Sequence, residues 1–164
     1  MPSWEAWRFG PGIPRPTYDV DVTILLDRSE LPKLFTAVRE MDYEIGEEYE
    51  QGWVDAVAGM PLVKATMFLK GRTLPVDIFL AETEFQKNLI ARRMRETIDG
   101  LETWLVTPED LILLKLLAGR PRDIADVADV LTMQIRCDQP YLRHWAEILH
   151  VSRQLEDALA EHGD

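Results

Sequence analysis

Pro14-Arg15-Pro16-Thr17-Tyr18-Asp19-Val20-Asp21-Val22-Thr23-Ile24-Leu25-Leu26 is the stretch that decides the fold. Polar and apolar side chains alternate along its second half, the period of a half-buried strand. The pattern predicts a strand over about 20–26. Residues two apart on a strand share a face, so Asp19 and Asp21 emerge side by side. Val20, Val22 and Ile24 turn the other way, toward a core. Two like charges ~4 Å apart near a protein surface cost about 4 kcal/mol if nothing compensates them. A divalent cation removes that cost. A D-x-D pair alone does not distinguish a metal-ligand pair from a solvated strand face.

Working outward, Asp27-Arg28-Ser29-Glu30 reads as a turn with Ser29 as a helix N-cap. Leu31, Leu34, Phe35, Val38 and Met41 then recur at helical spacing. Residues 43–60 fit either a short helix or a strand and loop. Residues 63–69 and 74–80 read as strands joined by the turn Lys70-Gly71-Arg72-Thr73, a hairpin predicted to lie beside the first strand. In the second of these strands Val76, Ile78 and Leu80 form an apolar face and leave Asp77 on the other. If the hairpin pairs with the first strand, Asp19, Asp21 and Asp77 converge. Three such carboxylates make an oxygen ligand set suited to Mg²⁺. Taken alone, Asp77 also fits an ordinary exposed position.

A helix is predicted over about 83–94 and a strand over 101–106. Thr107-Pro108-Glu109-Asp110 opens a helix, with an N-cap, a proline at its first position and acids in its first turn. Gly119 ends it. Pro121 opens another, with Ile124, Val127, Ala128, Leu131 and Ile135 as its buried stripe. Helices over about 140–149 and 151–162 complete the chain. Strands with interleaved helices come first and helices alone from residue 107, an α+β arrangement.

The composition narrows the function classes. The chain has 164 residues, 46% hydrophobic and 29% charged, with a net charge of −11. Such acidity argues against broad binding of duplex nucleic acid, which leaves a basic footprint. Local basic groups exist nonetheless: Arg92, Arg93 and Arg95 in one segment, Lys115, Arg120 and Arg122 in another. No apolar run reaches the ~18 residues of a membrane span. The first eight residues hold no hydrophobic signal core. The single cysteine, Cys137, precludes an internal disulfide and suits a reducing compartment. These features lead to the expectation of a cytoplasmic protein with no membrane partner.

Two positions in the helical part stand out. Lys115 sits inside Leu111-Ile112-Leu113-Leu114-Lys115-Leu116-Leu117-Ala118, apolar nearly all round. It either snorkels to water or meets an anion, a phosphate or a carboxylate. Asp123 follows Gly119-Arg120-Pro121-Arg122 in a helix first turn, where capping is the plain explanation. His144, His150 and His162 show no spacing suited to a nucleophile or a metal pair.

Gly12-Ile13-Pro14-Arg15-Pro16-Thr17-Tyr18-Asp19-Val20-Asp21 resembles the G-x-x-R-x-T-x-D-x-D segment of polymerase-β-type nucleotidyltransferases. The run from Thr107 to Val127 is similar to the helix pair of the branch that includes the AbiEii-like toxins and small prokaryotic proteins. The resemblance covers roughly residues 10–135. It implies a mixed sheet flanked by helices, divided into a nucleotidyltransferase-like core at 1–106 and a helical region at 107–164 packed on that core. It further implies metal-dependent transfer of a nucleoside monophosphate from an NTP to an acceptor hydroxyl, on a tRNA end, a protein or a small molecule. Asp19, Asp21 and Asp77 would hold Mg²⁺ or Mn²⁺, and Asp77 would also deprotonate the acceptor. Arg15 and Thr17 match the loop leading into the strand and would contact the nucleotide. Lys115 and Asp123 match positions placed near the active site.

One departure bears on activity. The family carries a Gly-Gly or Gly-Ser turn before the D-x-D, whose backbone N–H groups cradle the triphosphate. Here Gly10 and Gly12 flank Pro11, which has no N–H. A true start further upstream, a rebuilt loop, or a member that has lost nucleotide binding each fit that pattern. The last would act as a binding or regulatory partner in a toxin–antitoxin-type system; for the chain in general, a homo-oligomer or an antitoxin partner is expected.

Overall fold

The computed structural model describes residues 20–69, 71–98, 100–133 and 137–162. Its elements in chain order are strand β1 (Val20–Ile24), a 3₁₀ turn (Arg28–Glu30), helix α1 (Leu31–Glu40), β2 (Tyr43–Ile45), α2 (Glu47–Glu50), β3 (Asp55–Val57), β4 (Met60–Leu69) and β5 (Arg72–Leu80). There follow α3 (Glu84–Arg92), β6 (Met94–Ile98), β7 (Leu101–Leu105), α4 (Pro108–Ala118), α5 (Pro121–Thr132), α6 (Gln139–Ile148) and α7 (Ser152–His162). The chain divides into two compact units, with the boundary between Ala91 and Arg92.

The first unit is a five-stranded mixed sheet in the order β1-β5-β4-β2, with β3 also paired to β4. β5 runs parallel to β1 and antiparallel to β4, so the predicted hairpin does lie beside the first strand. Leu31, Phe35 and Val38 of α1 cover one face, packing on Ile45, Val63, Ala65, Val76, Ile78 and Leu80. That apolar burial, at ~25 cal/mol per Å², is the main force holding helix to sheet. Val20 and Val22 depart from expectation, being 43% and 39% exposed. β1 is a margin strand among the described residues, and α1 covers β5, β4 and β2 more fully. Asp27, not Ser29, caps the turn before α1: its side chain accepts from the Ser29 backbone N–H at 2.8 Å.

The second unit begins with the β6–β7 hairpin. The helix expected over about 83–94 ends at Arg92, and Met94 opens the hairpin instead. Four helices follow, burying Ile112, Leu113, Leu116, Val127, Val130, Leu142, Ala146, Leu155 and Ala158. α4 has the predicted ends: Thr107 accepts from the Asp110 N–H, and Gly119 closes the helix at φ 64°, a left-handed conformation that glycine adopts without strain. The stripe of α5 is turned from its expected position. Ile124 is 40% exposed, while Asp123, Val127 and Val130 are buried; Ile135 lies outside the described residues. No helix among the described residues is long and apolar enough to cross a membrane.

Candidate functional site

Backbone register brings two of the predicted carboxylates together. β1 and β5 pair in parallel with Asp21 opposite Asp77, flanked by Val20–Val76 and Val22–Ile78. Directly opposed residues of neighbouring strands point to the same face, about 4.8 Å apart. Val76 and Ile78 pack under α1, so Asp21 and Asp77 occupy the opposite face. Asp21 is exposed and Asp77 half-buried. Asp19, Arg15 and Thr17 lie outside the described residues.

The next strand adds a cation that the sequence reading did not single out. Lys64 of β4 is the register partner of Asp77, so Asp21, Asp77 and Lys64 form one transverse row on three strands. Like charges opposite each other destabilise a sheet; Lys64 is aligned with Asp77 by register, and its Nζ lies 3.8 Å from Asp55. Lys64 reads from sequence as one more polar residue on a strand. Only the β4–β5 register gives it meaning.

The donor set fits the implied metal. Two carboxylates at one register position on one face present hard oxygen donors, the preference of Mg²⁺ and Mn²⁺. Among the described residues no group of three or more His, Cys, Asp or Glu side chains is placed to hold a metal ion. The set visible here is therefore the Asp21–Asp77 pair.

Lys115 and Asp123 belong to the second unit, where each has its own counter-ions. Lys115 Nζ donates to Asp126 Oδ2 at 2.8 Å and lies 3.6 Å from Asp123 Oδ1. Asp123 is fully buried and accepts from Arg120 Nε at 2.6 Å, Arg120 Nη2 at 3.1 Å and the Arg120 backbone N–H at 3.2 Å. Burial alone would raise its carboxyl. The Arg120 hydrogen bonds and charge, helped by Lys115, outweigh that and hold it below the usual carboxylate range. Lys115 thus meets carboxylates, one of the alternatives its apolar setting allowed.

A second buried knot joins Arg92 to α4 and α6. Asp110 accepts from the Tyr141 hydroxyl at 2.5 Å and the Thr107 hydroxyl at 2.8 Å. Arg92 reaches Glu109 at 3.3 Å and Asp110 at 3.5 Å, with its guanidinium 3.8 Å over the Tyr141 ring. Arg93 lies over Trp104, and Arg95 pairs with Glu102. Of the basic groups noted in the sequence, Arg92, Arg93, Arg95, Lys115 and Arg120 are therefore engaged in contacts within this unit. Burial, with the charge of Glu109, pushes the Cys137 thiol up to about 11, so it is protonated at neutral pH and a poor nucleophile.

No curated protein sequence matches the chain. It is similar to a solved structure described as an antigenic nucleotidyltransferase-like protein from Paracoccidioides brasiliensis, at 18% identity and a TM-score of 0.49 over 93% of this chain and 78% of that one. A family model described as "Nucleotidyltransferase of unknown function" (DUF6036) matches residues 76–159. The match begins one residue before Asp77 and runs through Lys115 and Asp123, spanning just over half the chain. On that match the chain belongs to this nucleotidyltransferase family.

Proposed function

We propose that the protein is a metal-dependent nucleotidyltransferase that moves a nucleoside monophosphate from an NTP to an acceptor hydroxyl. The observation that supports this most is the pairing of Asp21 with Asp77 on adjacent parallel strands, in a chain of a nucleotidyltransferase family. Two facing carboxylates cost stability, and a cation-binding role accounts for their retention.

In this reading Asp19, Asp21 and Asp77 hold Mg²⁺ or Mn²⁺, which when bound supplies positive charge to the triphosphate oxygens. Asp77 takes the proton of the acceptor hydroxyl. The acceptor oxygen then bonds to the α-phosphorus, the bond from that phosphorus to its bridging oxygen breaks, and pyrophosphate leaves. Lys64, in line with Asp77, offsets charge on the phosphate oxygens. Arg15 and Thr17 contact the nucleotide from the preceding loop. Lys115 and Asp123 are carried from the resemblance as site residues. The acceptor offers a hydroxyl, and tRNA ends, proteins and small molecules all do. A cytoplasmic location completes the proposal.

The test is thermal. Mg²⁺ or Mn²⁺ with NTP raises the melting temperature, and Asp21→Asn abolishes the rise. Absence of any metal-dependent NTP stabilisation in the wild type overturns the enzyme reading. It favours instead an AbiEii-like family member that has lost nucleotide binding and acts as a regulatory partner, the reading that Pro11 between Gly10 and Gly12 supports.

A further inference from the structure

Trp53 stands just ahead of β3 and is 59% exposed. A single exposed aromatic is ordinary. This one is pinned: its indole N–H donates to Asp55 Oδ1 at 2.9 Å. The other oxygen of that carboxylate accepts from the hydroxyl of buried Tyr49 at 2.8 Å. Lys64 Nζ lies 3.8 Å from Asp55. The chain of contacts runs from the core, through Tyr49 and Asp55, to an indole whose polar edge is satisfied and whose bulk faces water.

Its position follows from register. Asp55 is the partner of Leu62, two residues from Lys64, so it shares the face of Lys64, Asp77 and Asp21. Three interstrand steps of ~4.8 Å set β3 about 14 Å from β1, within the span of an extended nucleoside triphosphate. Lys64 lies between the carboxylate pair and the indole, where phosphates would pass.

We propose that Trp53, oriented by Asp55, is the stacking platform for the base of the nucleotide held at Asp21 and Asp77. This rests on the nucleotidyl-transfer reading and adds a base subsite to it. Stacking on a rigid indole tolerates any base, because every base has a π-face. The subsite accordingly sets affinity for nucleotides over inorganic polyphosphate, with little choice among the four bases.

Calorimetric titration in Mg²⁺ with ATP and with inorganic tripolyphosphate tests it, on wild type, Trp53→Leu, Trp53→Phe and Asp21→Asn. Trp53→Leu is expected to weaken ATP about tenfold or more and to leave tripolyphosphate unchanged. Trp53→Phe, which keeps a ring, retains most of the ATP affinity. Asp21→Asn weakens both ligands. Equal ATP binding by wild type and Trp53→Leu overturns the subsite while leaving the enzyme reading intact. So does a parallel loss of both ligands in Trp53→Leu, or a loss in folded Trp53→Phe as large as in Trp53→Leu. A wild type that binds neither ligand overturns the nucleotidyl-transfer reading itself, and the subsite with it.

Discussion

Asp77 and Asp123 are both carboxylates set among apolar neighbours, and they are held by different means. Asp77 is placed by backbone register, with another carboxylate on one side and Lys64 on the other. Asp123 is fully buried and placed by side-chain bonds, three of them from Arg120, with Lys115 close by. The second arrangement satisfies its own charge and stabilises the fold that contains it. The first faces two negative charges toward each other, which costs stability. A carboxylate that strengthens its own fold is explained by the fold. One that opposes it needs another explanation, and cation binding supplies one.

The sharpest way to break this contrast is Asp77→Asn. A general base contributes ~10²–10⁴-fold, so nucleotidyl transfer, followed as pyrophosphate release, is expected to fall by that order. The melting temperature should hold or rise, since a like-charge pair is removed. Unchanged turnover, or a large drop in melting temperature, would place Asp77 with the structural carboxylates.

Asp110→Ala probes the other class at a second fully buried carboxylate. It leaves the Tyr141 and Thr107 hydroxyls and the Arg92 guanidinium without that partner. Removing one partner of a buried charged network costs about 3 kcal/mol, read as a lower urea midpoint at unchanged slope. A loss under ~0.5 kcal/mol, the range of ordinary surface changes, would sink the structural assignment.

How far such placements could be foreseen depended on the range of the forces involved. Local chemistry was readable: β1 is a strand as expected, though its burial does not alternate, and the Thr107 and Gly119 ends of α4 appear as expected. β6 was not, because Met94-Arg95-Glu96-Thr97-Ile98 has no strong strand pattern and is a strand by virtue of pairing with β7. The stripe of α5 was misplaced by one residue. Asp123 occupies a core-facing slot that an apolar-periodicity argument reserves for Ile124, and it can do so only because Arg120 and Lys115 neutralise it. In the candidate site, Asp21 and Asp77 were readable as alternating strand residues, whereas Lys64 and Trp53 needed the register of β4 against β5 and β3.

Lys115→Met separates a purely structural lysine from one that also serves the reaction. Its ammonium bridges α4 to Asp126 and Asp123 in α5. Asp123 keeps Arg120 in the variant, so the expected stability loss is only about 1 kcal/mol. If Lys115 also serves the proposed site, turnover of the folded variant falls more than tenfold at a temperature well below its melting point. Full turnover confines Lys115 to the fold.

The smallest effect expected lies in acid. Asp123 is held below the usual carboxylate range in the folded chain. Its contribution is therefore complete above the unfolded value of ~3.9 and is lost as pH falls through the lower folded value. Melting temperature plotted against pH should show this loss below about pH 4, and Asp123→Asn should flatten it. Glu156, lowered by a hydrogen bond from Arg143 at the surface, contributes in the same direction, but through an exposed pair that salt screens. In 1 M salt the flattening by Asp123→Asn should persist and that by Glu156→Gln should vanish. If both vanish, Asp123 is solvated like Glu156, and the distinction between a buried, self-neutralised carboxylate and the opposed pair on β1 and β5 loses its physical basis.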